Sequence, residues 1–459
     1  MRLKLNEKIG YGAGDTASNF FFQTFGIFLL YYYTDVFGIS AAAVGTLFFV
    51  SRLWDAVNDP IMGAIADRTD TRHGKFRPYL LWVAVPYGVM GYLMFANPDF
   101  DETGKLIYAW VTYSLMMMLY TAINVPYSAL MGVMTPSSKE RTVLSSYRFV
   151  GAFGGGLLIS MLVRPLVQSI GGGDEALGFQ YTMILFAVAS VLLFWYTFAA
   201  TTERVPTPVV EKRSIKQDIG RLVKTRAWVV LCFGGIFTLA SIAVKNAVVI
   251  HFFKYYVGDD GTPLFWVFDM TTVFMTIGML ALIVGVSATS ALTERFDKRN
   301  LLIVLSLLNC VTMVALFFVP VDNFALLMVV NIAGSLFAGP TAPLVWAMYA
   351  DVADYGEWKF GERTTGLVFS ASMFAQKFGL TIGAGLSGWL LAAFGYEANV
   401  EQTETSLLGI RLLFTLIPAA IALLNVVVLL FYDLNDRQVS EIEAELARRA
   451  DQTVSTQTS

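Results

Sequence analysis

Residues 42–66 read Ala42-Ala43-Val44-Gly45-Thr46-Leu47-Phe48-Phe49-Val50-Ser51-Arg52-Leu53-Trp54-Asp55-Ala56-Val57-Asn58-Asp59-Pro60-Ile61-Met62-Gly63-Ala64-Ile65-Ala66, and they run straight into Asp67-Arg68-Thr69-Asp70-Thr71-Arg72-His73-Gly74-Lys75. The first stretch is long and apolar enough to cross a bilayer as a helix, which takes roughly 20 residues. The second is a basic loop of the kind retained on the cytoplasmic side. The arrangement returns later in the chain, where an apolar stretch over 264–292 leads into Glu294-Arg295-Phe296-Asp297-Lys298-Arg299. The tripeptide Glu140-Arg141-Thr142 before one apolar stretch likewise recurs as Glu362-Arg363-Thr364 before another. Matching landmarks in two halves of an apolar chain are the signature of a parallel-repeat transporter, with its binding site between the repeats near the bilayer midplane.

Composition supports this reading. The chain has 459 residues, of which 56% are hydrophobic and only 15% charged, with a mean hydropathy of +0.60. A water-soluble globule could not hide that much apolar surface. Apolar windows lie over 10–37, 42–66, 79–96, 106–134, 143–163, 179–200, 227–256, 264–292, 301–319, 324–350, 364–394 and 407–431. The expected fold is therefore all-α and integral to the membrane, with twelve transmembrane helices in two six-helix halves. The expected division is a first half over 1–200, a central cytoplasmic loop over 201–226, a second half over 227–432 and a cytoplasmic tail over 433–459. The loop is marked by Pro206, Pro208 and a run of charges. The tail alternates acidic and apolar residues at helical spacing from Val439 to Ala450 before becoming polar. With both termini inside, most lysines and arginines of the short loops fall on the cytoplasmic side of the cell membrane. The short charged N-terminus precedes a long apolar run without a small-residue cleavage site and reads as a cytoplasmic start.

The same composition excludes other classes. A net charge of −3 gives no reason to expect nucleic acid. Cys232 and Cys310 lie in apolar stretches and read as core filler, while His73 and His251 are far apart and lack the spacing of a metal or haem site. No nucleophile–base pair or nucleotide motif stands out, so neither an enzyme nor a cofactor is expected.

The chemistry concentrates in the second span. Asp55 and Asp59 are four apart and share a helix face, with Arg52 one turn before Asp55 and Asn58 beside them. Each ionised side chain at mid-span costs about 2.5 to 3.5 kcal/mol, and adjacent carboxylates repel, so a positive charge is needed between them. Arg52 and Lys377 are candidates for charge balance, and the remaining charge leaves a place for Na⁺ or a proton. Salt bridging without further function is the plainer alternative. In the fourth span Tyr120, Thr121 and Asn124 offer hydroxyl and amide oxygens suited to Na⁺ or to sugar hydroxyls. Asp15, Asn19 and Gln23 form a polar stripe on the first span, which must face protein or water. Arg148, Lys245 and Trp346 are further inward candidates: the cations bond hydroxyls or carboxylates, and an indole face stacks on a pyranose. Glu140, Arg141, Asp351, Asp354 and Arg363 cluster at cytoplasmic helix ends, where ion pairs could close an inner gate or merely cap and solvate helices.

Tyr11-Gly12-Ala13-Gly14-Asp15, Tyr31-Tyr32-Tyr33-Thr34-Asp35, Trp54-Asp55-Ala56-Val57-Asn58-Asp59-Pro60, Gly74-Lys75-Phe76-Arg77-Pro78 and Asp351-Val352-Ala353-Asp354-Tyr355-Gly356 together resemble the glycoside-pentoside-hexuronide:cation symporters. This is the melibiose-permease branch of the major facilitator superfamily, and the resemblance extends to about Phe431. It implies cation-coupled import of a sugar by a membrane-embedded monomer. It also implies a cation site at Asp55, Asn58, Asp59 and Thr121, with Lys377 linking the cation and sugar sites. The sugar contacts would come from Asp15, Asn19, Tyr120, Asn124, Arg148, Trp346 and Lys377. Amides stand at Asn19 and Asn124 where the melibiose permease places carboxylates, which suits a substrate carrying its own negative charge, such as a hexuronide. The alternative with the same fold is a facilitator for a lysolipid or other amphiphile.

Overall fold

The computed structural model describes residues 3–205, 220, 222–361 and 365–458. Among these residues every regular element is a helix, without a strand. The helices are α1 (Leu5–Ile27), α2 (Ala41–Arg68), α3 (Arg77–Trp82 and Ala84–Leu93), α4 (Glu102–Met134), α5 (Ser138–Gly171) and α6 (Glu175–Ala200). They continue with α7 (Arg226–His251), α8 (Met270–Thr293), α9 (Lys298–Phe318), α10 (Phe324–Ala338 and Thr341–Phe360), α11 (Thr365–Ala393) and α12 (Glu404–Phe414 and Leu416–Leu429). A terminal helix, α13, covers Asp436–Thr458.

The interruptions have local causes. A proline clashes with the carbonyl four residues earlier; Pro86 lies four after Trp82 and Pro418 four after Phe414, where α3 and α12 break. In α10 the break is Gly339-Pro340. Beyond Ile27, α1 runs on through Leu29–Tyr31 into the wider π-helical turn Tyr32–Val36, and α7 ends in the π-helical Phe252–Val257.

Among the described residues, eight helices are long and apolar enough to cross a membrane by length and composition. Three of those outside that set, α1, α2 and α11, carry Asp15, Asn19 and Gln23, then Arg52, Asp55, Asn58 and Asp59, and then Gln376 and Lys377. Their polar side chains lower the hydropathy of spans whose length is sufficient.

Some boundaries differ from the apolar windows. Helix α5 starts at Ser138, because the Ser137 hydroxyl accepts the Glu140 N–H and caps it, so Glu140 and Arg141 occupy its first turn and not a loop. Helix α8 starts at Met270 and not at 264. Leu264 and Phe268 close a tight turn around Trp266 (φ 54°), and Asp269 caps the helix by accepting the Thr272 N–H at 2.8 Å. Helix α13 extends beyond the expected Val439–Ala450 at both ends.

Two compact units emerge. One comprises Met1–Val210, Lys245–Met279 and Ala384–Phe414; the other comprises Glu211–Val244, Leu280–Gly383 and Thr415–Ser459. In lipid, helices associate through close packing and not through apolar burial. In the first unit a Cβ on Gly151 of α5 would collide with the Gly12 carbonyl oxygen of α1. In the second, a Cβ on Gly379 of α11 would collide with the Ile236 carbonyl oxygen of α7. The second unit's core gathers Leu231, Leu302, Leu344, Met348, Tyr349 and Leu429.

Candidate functional site

In the first unit α2 packs along α4, and this brings the paired carboxylates to one hydroxyl. Thr121 Oγ1 lies 2.5 Å from Asp55 Oδ1 and 3.0 Å from Asp59 Oδ1. Asp55 and Thr121 are buried and Asp59 is partly buried. A hydroxyl has one proton to donate, so it can satisfy only one of these carboxylates at a time. Asn58 is partly buried on the same helix. Pro60 sits inside α2 and has no N–H to donate to the helix. Carboxylate, hydroxyl and amide oxygens are donors suited to a hard monovalent or divalent cation. Arg52 Nε donates to the Tyr113 hydroxyl at 3.3 Å, within electrostatic reach of Asp55.

A second polar group lies between α1, α4 and α5. Arg148 Nε pairs with Asp15 Oδ2 at 3.4 Å, and the guanidinium rests 5.3 Å above the Tyr127 ring. Tyr127 stacks on Tyr11 at 4.8 Å and donates its hydroxyl to the Tyr11 carbonyl at 2.6 Å. Asn124 is engaged twice, donating to the Tyr120 carbonyl at 3.0 Å and accepting from Ser18 at 2.7 Å. Asn19 donates to the Asp15 carbonyl at 2.9 Å. Tyr120 stacks on Phe22 at 6.0 Å. The Gln23 amide lies against Gly156 of α5. Asp15, Asn19, Tyr120, Asn124 and Arg148 are thus neighbours, whereas sequence spacing could only place them on separate helices.

Trp346 and Lys377 belong to the second unit. Trp346 stacks on Phe369 at 5.7 Å and meets the edge of Tyr349 at 6.1 Å. Gln376, next to Lys377, donates to the Tyr349 hydroxyl at 3.3 Å. Lys245, in the first unit, has its ammonium 5.5 Å from the Phe414 ring.

The residues expected at the inner gate have local partners. Glu140 accepts the Leu3 N–H at 3.1 Å and pairs with Lys8 at 3.0 Å. Arg141 donates to the carbonyls of Thr135 and Pro136. Asp351 pairs with Lys298 at 2.5 Å, and Lys298 also reaches Asp436 at the start of α13 at 3.5 Å. Asp354 is on α10, and Arg363 lies outside the described residues.

Two clusters went unnoticed in the sequence. Glu203, past the end of α6, accepts the N–H groups of Lys75, Phe76 and Arg77 at 2.8 to 2.9 Å, which closes the N-terminus of α3. Asp35, in the π-helical turn after α1, is surrounded by Lys254, Tyr255, Tyr396 and His251. Glu203 offered no signal within a linker-like stretch. Asp35 and Lys254 were opposite charges at matching helix ends, a pairing that could have been proposed.

The sequence of residues 10–436 matches the family model described as MFS/sugar transport protein. The chain is 35% identical to the inner membrane symporter YicJ of Escherichia coli (strain K12), covering 97% of this chain and 95% of that protein. It is 35% identical to the isoprimeverose transporter of Lactiplantibacillus pentosus, covering 96% and 90%, and 30% identical to the glucuronide carrier protein homolog of Escherichia coli (strain K12), covering 96% and 95%. Among solved structures, the nucleoside transporter NupG superposes with a TM-score of 0.61 at 13% identity, covering 93% of this chain and 99% of that one. A D-xylose-proton symporter superposes with a TM-score of 0.57 at 14% identity, covering 91% and 96%. These likenesses show the fold. The chain is a multi-pass membrane protein of the major facilitator fold and belongs to the MFS/sugar transport family, in its branch of glycoside-pentoside-hexuronide:cation symporters.

Proposed function

We propose that this protein carries a glycoside, pentoside or hexuronide into the cell together with Na⁺ or H⁺, by alternating access between two six-helix halves, with both termini in the cytoplasm. The observation that carries this reading is the convergence of Asp55 and Asp59 on the Thr121 hydroxyl. Two ionised carboxylates at mid-span destabilise each other and the empty site. A bound cation relieves both penalties, so a conformational change that requires relief is coupled to cation binding. Asn58 would complete the oxygen set, with Arg52 supplying part of the balancing charge.

The sugar site would be the neighbouring group of Asp15, Asn19, Tyr120, Asn124 and Arg148, with Trp346 as an aromatic platform and Lys377 as the link to the cation site. Asn124 and Asn19 hold helix carbonyls and present their remaining amide valences, whereas Arg148 brings a directional fork already aligned by Asp15. An anionic sugar would exchange its carboxylate for that of Asp15. Glu140, Arg141, Asp351, Asp354 and Arg363 would act at the cytoplasmic gate. The relatives support the cargo class: one is named for isoprimeverose and one for glucuronides.

The deciding experiment is uptake into proteoliposomes of labelled neutral glycosides, pentosides and hexuronides with imposed Na⁺ or H⁺ gradients. Accumulation of one class under one gradient is expected. Transport of no sugar under either gradient would overturn the reading and favour an amphiphile as cargo. Uptake of neutral sugars alone would remove the hexuronide.

A further inference from the structure

The ends of α1 and α7 away from the basic loops are built alike. Aligned on Gly38 and Gly258, both with φ of 83°, the two segments are Tyr31-Tyr32-Tyr33-Thr34-Asp35-Val36-Phe37-Gly38 and His251-Phe252-Phe253-Lys254-Tyr255-Tyr256-Val257-Gly258. Each widens into a π-helical turn, over Tyr32–Val36 and Phe252–Val257. Each is closed by the same bond, from the Ile39 N–H to the Tyr33 carbonyl at 2.8 Å and from the Asp259 N–H to the Phe253 carbonyl at 2.9 Å. Such turns inside α-helices recur at functional positions, because they displace side chains from the regular helical register.

The two ends differ in charge, and they meet on it. The Asp35 carboxylate is buried. Its Oδ1 accepts from Lys254 Nζ at 3.0 Å and from the Tyr255 hydroxyl, and its Oδ2 from the Tyr396 hydroxyl at 2.5 Å and from Thr34 at 2.7 Å. His251 Nε2 stands 3.5 Å from Oδ2 and 3.1 Å from the Thr34 hydroxyl. Asn399, which adopts a left-handed φ of 59°, ties the connection before α12 to the same point. It donates its side-chain amide to the Asp35 carbonyl at 2.6 Å and its backbone N–H to the Tyr255 hydroxyl at 2.8 Å, and it accepts from Lys254 at 2.9 Å. One carboxylate of α1 thus gathers donors from α7 and from the turn after α11.

We propose that Asp35 is the acceptor of an outer latch, holding the ends of α1, α7 and the 396–399 turn together, and that its release admits substrate from outside. The proposal rests on the transport reading and orientation given above. A latch must be strong when shut and open as a unit. A carboxylate with converging donors has both properties, because the donors depend on one group, and once that end parts, water can solvate Asp35 and Lys254 separately. The matched backbone ends supply a docking surface of the same shape on both helices, and the charges give it a single register. An inert brace would use the same bonds, so the test must read conformation and not stability alone.

The test is a distance distribution by electron paramagnetic resonance in the full-length protein, with spin labels on Glu102→Cys and Thr262→Cys. Glu102 is exposed at the first residue of α4 and Thr262 on the α7–α8 connection, and both native cysteines are buried. Asp35→Asn turns an acceptor into a donor facing Tyr396 and Thr34, and Tyr396→Phe removes one donor at nearly unchanged volume. Each variant is expected to raise the ratio of long to short distances, by roughly tenfold for Asp35→Asn and less for Tyr396→Phe. An unchanged distribution in Tyr396→Phe, or in a folded Asp35→Asn, would leave an inert brace and overturn the latch. The measurement needs no sugar or ion gradient, so it stands apart from the uptake experiment: a shift without transport would sink the cargo assignment and keep the gate.

Discussion

At the scale of single residues, the cation assignment rests on side chains that share one hydroxyl. Asp55→Cys or Asp59→Cys is expected to reduce gradient-driven accumulation by at least about tenfold, a coupling loss of ~1.4 kcal/mol or more, while sugar exchange without a gradient persists. Uphill accumulation by either variant in proteoliposomes would remove the carboxylates from the coupling site. Asp55, Asn58 and Asp59 were legible as a group because helical spacing places them on adjoining faces of one segment. Thr121 and Asn124 were legible only as residues suited to the task. Their nearness to α2 and to Ser18 depends on how helices pack, and no periodicity within one helix encodes that. Asn124 also illustrates a limit of reasoning from residue type. Its amide carries donors and an acceptor that suit a sugar, yet one donor and the acceptor are used on Tyr120 and Ser18.

At the scale of elements, the start of α3 depends on a loop far along the chain. Gly74 has a φ of 101°, and a Cβ there would lie 2.5 Å from the Glu203 carboxylate that caps the helix. Gly74→Ala is therefore expected to destabilise the fold by about 1 to 3 kcal/mol through backbone strain and displacement of Glu203. Glu203→Ala should cost a similar amount, roughly 1 to 3 kcal/mol, by leaving three N–H groups without their charged acceptor. Both changes break one lock, so the double variant should lose clearly less than the sum when thermal unfolding is measured in detergent. Additive losses would show that Gly74 and Glu203 act separately. The motif Gly74-Lys75-Phe76-Arg77-Pro78 pointed to this corner, with proline in the first turn as helix starts favour. It did not point to Glu203, because an acidic residue in a stretch rich in charge and proline looks like any solvated linker residue.

At the scale of the whole molecule, polar anchors fix the connection between α7 and α8. Burial opposes ionisation of Asp269, yet the Arg164 guanidinium at 2.6 Å and the Thr272 N–H outweigh it and hold the carboxyl below the usual carboxylate range. A carboxyl with a depressed folded value contributes stability that is full above its unfolded pKa, about 3.9, and fades as pH falls through the lower folded value. The protection of the Thr271 and Thr272 amides against hydrogen exchange, relative to their intrinsic rates, should hold at pH 5 and fall as the pH drops through that lower folded value. Arg164→Gln should move that onset to higher pH, and an onset unaffected by the substitution would dissociate the pair from the anchor. The all-α membrane class and the transporter family were legible in the sequence alone, because a run of about 20 apolar residues can satisfy its own backbone in lipid as a helix and charge is tolerated within it only for cause. The breaks at Trp82 and Phe414 were likewise written in Pro86 and Pro418. What the tertiary structure decided is which polar residues meet: Thr121 with Asp55 and Asp59, Arg148 with Asp15, Glu203 with the start of α3, and Asp35 with Lys254 and Tyr396. Those pairings follow from helix packing and from side chains seeking partners where water is absent, and both act between segments far apart in the chain.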